Sequence, residues 1–163
     1  MSDKTALFIA LEQGHYSVVE ELARGGGDVE AKCYGYSPLY IACAKRDMRV
    51  VECLVSHGAD VNRRCRFGEV PLYIASRNMH SCLAKYLIEH GADVNQALMK
   101  GIPNLHIMAL IGDAEKVKEL LKTGRNVSIG EKGGKSVLEY GQAGRCKEII
   151  ELIENTIGNR GTQ

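Results

Sequence analysis

Between Ser37 and Gly58 the apolar positions fall into two short helical patterns. Leu39, Ile41 and Ala42 give the first an apolar side, and Val50, Val51, Leu54 and Val55 give the second one at spacings of three and four. Ser37 stands where a hydroxyl caps a helix start, and Pro38 follows in the first turn, where its missing N–H does no harm. Gly58 closes the second pattern at the place of a left-handed helix stop. The stretch predicts two helices of about eight or nine residues each, a length that is marginal alone in water.

The same pattern returns along the chain. "HGADVN" occupies residues 57–62 and again 90–95, while "SPLYIA" at 37–42 and "VPLYIA" at 70–75 each precede it by the same interval. Units start near residues 5, 37, 70, 103 and 136; the first step is 32 residues and the others are 33. Thr5 and Ser136 supply further capping hydroxyls, Pro71 a second first-turn proline, and Gly91 and Gly124 further stops. A single unit cannot cover its own apolar side, so stacking between units has to stabilise the fold.

These units resemble ankyrin repeats, with a T-P-L-H-x-A-like start, a "GH" between helices, a "VV..L" second helix and a "GADVN" ending. The resemblance covers residues 5–154. It implies an all-α ankyrin-repeat solenoid of stacked helix–turn–helix units with β-hairpin-like finger loops between them. It also marks departures: the first unit ends "GGGDVEA", and the fourth begins "PNLH", which puts Pro103 where a capping hydroxyl usually sits. The fourth unit is therefore expected to be the least regular. The fifth lacks the glycine stop and finger, as a C-terminal cap does. Residues 1–154 are read as one ankyrin repeat domain and 155–163 as a frayed tail.

Composition narrows the function classes. Lys and Arg number 21 against 20 for Asp and Glu, so the net charge of +1 nominates neither nucleic acid nor membrane as a partner. The first turns carry Asp3, Lys4, Glu12 and His15, which breaks the apolar run that a signal peptide needs. Six scattered cysteines without CxxC spacing read as free thiols, and the expected compartment is cytoplasm or nucleus. The chain reads equally as a whole protein or as a domain of a larger one.

Sites for chemistry fail on spacing. "IGEKGGKS" at 129–136 has Ile129 where a phosphate-binding loop requires glycine, and "GGG" at 25–27 lacks the spaced glycines of a dinucleotide fingerprint. Asn126, Val127 and Ser128 form a glycosylation sequon that matters only in a secreted chain. His15 and His80 fall at the "GH" position, His57 and His90 at ends of second helices, and His106 at the histidine of the T-P-L-H start. No two histidines stand i, i+4, and no cysteine has a histidine and an acid placed for nucleophilic catalysis. No metal, cofactor or enzyme activity is expected.

The resemblance instead implies a protein-interaction module, such as an adaptor, scaffold or inhibitor, acting as a monomer. Its partner would dock on a concave face made of fingers and first helices. In this register the finger tips are Tyr34 and Tyr36, then Arg66, Phe67 and Glu69, then Met99, Lys100 and Ile102. The outward turns of the first helices carry Glu12 and Gln13, Lys45 and Arg46, Arg77 and Asn78, then Leu110 and Ile111. Tyr34, Tyr36, Lys45, Arg46, Arg66, Phe67, Arg77, Asn78, Met99 and Lys100 are the candidate partner-binding residues, since aromatics and arginines dominate binding energy. Clustered basic residues in the second and third units, Arg63 and Arg64 among them, point to an acidic patch on the partner. The alternative is a substrate-recognition domain of a larger enzyme assembly, such as a ubiquitin ligase or kinase complex; nucleic-acid binding comes a distant third. The resemblance further implies Asn62 and Asn95 as candidate acceptors for the asparaginyl hydroxylase that depends on iron and 2-oxoglutarate. Leu54 and Leu87 stand eight residues upstream of them, and Asp60 and Asp93 two upstream.

Overall fold

The computed structural model describes residues 4–98, 103–123 and 136–160. Gly124, the sequon at 126–128, the segment 129–135, Met99, Lys100 and Ile102 lie outside the described residues.

Helix pairs appear where the apolar pattern repeats. The first unit is α1 (Ala6–Gln13) and α2 (Tyr16–Arg24), the second α3 (Pro38–Lys45) and α4 (Met48–Ser56), and the third α5 (Pro71–Arg77) and α6 (Ser81–Glu89). A short helix, α7 (Val94–Leu98), follows before α8 (Asn104–Ile111) and α9 (Ala114–Thr123). The fifth unit is α10 (Val137–Gly144) and α11 (Lys147–Arg160). Helix α11 runs on to Arg160, so residues 155–160, expected to fray, are helical.

The caps follow the sequence. Thr5, Ser37 and Ser136 each accept a hydrogen bond from a backbone N–H three residues on, and Ser136 with Glu139 completes a reciprocal capping box. Pro103 starts α8 without a side-chain cap. His15 and His80 do not cap the helices they precede; at the equivalent position Asp47 and Asp113 accept from Val50 and Lys116 N–H. His57 and His90 close α4 and α6, each ring nitrogen bonding a carbonyl one turn back, at 2.7 and 2.8 Å.

One continuous core threads the units, from Leu11 and Val19 through Leu39, Val50, Leu54, Leu72 and Leu87 to Ile107, Val117, Ile149 and Ile153. Helix α3 packs on α1 and α5, and α2 packs on α4, as serial stacking requires. The stacking then changes. Helix α5 packs on α3, α6 and α7, whereas α8 packs on α6, α9 and α10, and α10 also reaches α6. Leu110, expected on the outward turn of its helix, is fully buried as α10 closes over α8. The approach is so close that a Cβ on Gly144 would lie 2.5 Å from the Ala109 carbonyl oxygen.

The fingers are tighter than strands. In the first, Cys33 and Tyr36 exchange two backbone hydrogen bonds of 3.0 Å around Tyr34 and Gly35, both with positive φ, as in a two-residue hairpin turn. The second turns between Cys65 and Glu69, whose N–H and C=O are bonded at 2.8 Å. In the third, α7 occupies the stretch after "HGAD" from Val94 to Leu98, and the expected tip at Met99, Lys100 and Ile102 lies outside the described residues.

Candidate functional site: the finger face

The finger loops are joined sideways by a bond that recurs with the repeat. The Asp60 N–H donates to Glu30 Oε1 at 2.9 Å, and in the next unit the Asp93 N–H donates to Asn62 Oδ1 at 2.8 Å. Glu30 and Asn62 occupy the same place in their units, so "GGGDVEA" keeps the bridge with a different side chain. Asn62 Nδ2 also donates to the Gly91 carbonyl, at 3.0 Å. Asp28, Asp60 and Asp93 each accept the N–H two residues on, holding every loop in the same turn. Asn62 is therefore engaged on both faces of its amide, while Asn95 is exposed on α7.

Above these bridges the tips converge. The Arg66 N–H donates to the Gly35 carbonyl at 2.8 Å, and a Cβ on Gly35 would come within 2.5 Å of the Arg66 Cβ. That contact carries one finger against the next and sets an aromatic row. Tyr36 lies 5.2 Å from Tyr40 and 6.2 Å from Phe67, ring centre to ring centre. The Arg66 guanidinium stands 5.1 Å over the Phe67 ring, and the Lys4 ammonium 5.3 Å over Tyr34. Tyr34 and Phe67, each 56% exposed, are the most exposed large apolar side chains among the described residues.

The row rests on a buried support. The Tyr40 hydroxyl donates to Glu69 Oε2 at 2.6 Å, and the Cys65 thiol faces the same oxygen at 3.8 Å. Burial, and then the Glu69 carboxylate, push the Tyr40 phenol far above its ordinary range, so it stays a donor. The sequence pattern missed this support, although the recurring "LYIA" offered a signal: a tyrosine within a buried helix needs a partner for its hydroxyl.

The basic cluster is less uniform than its sequence. Arg63 pairs with Glu30 at 3.1 Å, and Lys45 donates to the Glu12 carbonyl at 2.9 Å. Lys4, which sequence reasoning left out of the site, bonds Glu12 at 2.7 Å, and that bond raises its pKa. Arg77 and Asn78 are exposed at the end of α5. Arg46 stands at the far end of α3 from the finger, lining a cleft with Met79 and Arg145. The structure thus brings Tyr36, Arg66 and Phe67 together, sets Tyr34 on the same finger beside Lys4, and leaves Arg46 apart. Among the described residues no helix is long and apolar enough to cross a membrane.

Paired short helices, glycine stops, bonded finger loops and a shared core define a repeat protein of stacked helix pairs. A family model of ankyrin repeats in three copies matches residues 2–65, and a model of one ankyrin repeat matches residues 67–97. The chain belongs to the ankyrin-repeat family. Over 157 residues, 94% of its own length, it is 30% identical to a Bos taurus protein described as a mitochondrial disaggregase, of whose length it spans 23%.

Proposed function

We propose that this chain is a protein-recognition module that grips a folded partner on its finger face, with Tyr34, Tyr36, Phe67 and Arg66 as anchors and no catalytic step of its own. The observation that carries the reading is the placement of Tyr34 and Phe67. Both are largely exposed, and each stands on a backbone tied to its neighbour, so the ordering cost of docking is already met. Arg66 lies over Phe67 and offers its N–H groups to acidic residues on the partner, which favours encounter at low salt. The module acts as a monomer, as an adaptor, scaffold or inhibitor, in the cytoplasm or nucleus.

The test is paired. Phe67→Ala and Arg66→Ala should leave stability within about 0.5 kcal/mol, as surface changes do. They should weaken binding to a partner retrieved by the parent by about 2 kcal/mol at a true anchor. Unchanged affinity in both variants would move the site elsewhere, and a melted Phe67→Ala would show that the ring supports the finger instead.

A second reading is favoured by the span of the match. The chain corresponds to 23% of a relative named as a disaggregase, which supports a recognition domain serving a larger enzyme assembly. Gel filtration of the endogenous protein separates the readings, a large assembly favouring the second. Cell fractionation decides between cytoplasm or nucleus and the mitochondrion named for the bovine relative.

Asparagine hydroxylation is proposed for Asn95 in preference to Asn62. Asn62 spends its amide on the Gly91 and Asp93 backbone, whereas the side chain of Asn95 is exposed. Peptide mass mapping after incubation with the hydroxylase should find one added oxygen at Asn95; an unmodified Asn95 refutes the assignment.

A further inference from the structure

Equivalent positions follow the five first helices: Gly14, Arg46, Gly112 and Arg145 at the caps, and Met79 one residue past the Asn78 cap of α5. All five adopt positive φ, between 56° and 84°. Two are glycine, which takes that conformation freely; the other three carry side chains and are strained there. Those three are the ones that meet. Arg46, Met79 and Arg145, with Met48, Cys82 and Leu83, line one cleft of about 580 Å³. It lies at the opposite end of the first helices from the fingers. The approach of α10 to α6 brings the fifth unit to the third, and Arg46 and Met48 of the second line the same cleft.

The chemistry of this cleft is one-sided. No acidic side chain lines it, and neither Arg46 nor Arg145 has an ion pair among the described residues. Both arginines are exposed, while Met48, Met79 and Leu83 form a thioether and aliphatic floor. Helix α6 opens into it without a side-chain cap, adding the positive end of its dipole.

We propose that this cleft is a second recognition site, for an acidic peptide segment that sets one aliphatic side chain on the methionine floor between two carboxylates held by Arg46 and Arg145. A free phosphate would satisfy the arginines and leave the floor bare, whereas an acidic segment with a central leucine meets both. Methionine adapts its shape to such a side chain. The site is separate from the finger face, so a protein using both would hold two partners, or two parts of one.

The experiment uses a fluorescent peptide of glutamates around one leucine, titrated against the full chain. It should bind in a salt-sensitive manner and slow alkylation of Cys82. A peptide with lysine for glutamate should not bind, and one with serine for leucine should bind more weakly. Arg46→Gly and Arg145→Gly should each weaken binding roughly tenfold, a loss typical of a charged contact. Both should also melt at or above the parent temperature, because glycine relieves the strained backbone. Loss of affinity without loss of stability is the signature that a merely structural arginine would not give. Phe67→Ala should bind this peptide normally, so a failure of the finger reading and a failure of this one remain distinguishable. No binding by the leucine peptide, equal binding by either glycine variant, or equal protection of Cys82 by inorganic phosphate would overturn the proposal.

Discussion

Glycines that share a conformation differ in what a side chain would meet. Gly58 and Gly91 both have φ near +90°, with nothing within 4 Å of where a Cβ would stand. Gly58→Ala and Gly91→Ala should therefore cost only the backbone penalty, about 1 kcal/mol each, read from the denaturant midpoint. At Gly35 the same φ penalty is joined by a collision with Arg66, whose Cβ, Cγ and Cδ all crowd the position. Gly35→Ala should cost more than either and should also disturb the Tyr36 to Phe67 contact. A Gly35→Ala variant as stable as Gly58→Ala would mean that the fingers separate without cost. The caps and stops themselves were legible from the sequence, because hydroxyl, proline and glycine act on their own backbone. The clash at Gly35 was not, since it depends on a residue 31 positions away.

Among elements, the informative pair is α8 and α10. Gly144 ends α10 against the carbonyls of Ala109 and Leu110, whose oxygens would lie closer than 3 Å to a Cβ there. Those atoms are backbone and cannot turn aside. Gly144→Ala should force the helices apart and cost about 1–3 kcal/mol, as overpacking does. It should also open the Arg46–Arg145 cleft, because α10 carries one wall. Unchanged melting would show that the fifth unit slides freely on the fourth. The pattern had marked the fourth unit as the least regular from its "PNLH" start, with Pro103 at the capping position and Asn104 where proline usually sits. Repacking of the neighbouring units could not be read, because apolar residues on α8 declare burial without naming the helix that covers them.

For the whole molecule, stability should come from stacking alone. Helices of eight or nine residues are marginal by themselves, and the buried leucines and valines form one cluster from the first unit to the last. All six cysteines are free, and burial holds the Cys43 thiol well above its usual range. The melting temperature should therefore be indifferent to reductant and to chelator. A sharp drop with either would mean that a disulfide or metal contributes to the fold.

The sequence by itself determined the repeat, its period, the helix pairs, their caps and their stops, since each rests on interactions within a few residues. It also named Tyr34, Tyr36, Arg66 and Phe67, because a register shared by five units places equivalent positions on one side. Only the tertiary structure decided which of the named residues meet. It joined Phe67 to Tyr36 through the Gly35–Arg66 bond, turned the stretch after "HGAD" in the third unit into a helix, and sent Arg46 to a cleft with Arg145. The physical reason is range. Local backbone preferences are written residue by residue, whereas the approach of α10 to α6 is a balance of packing among surfaces far apart in the chain.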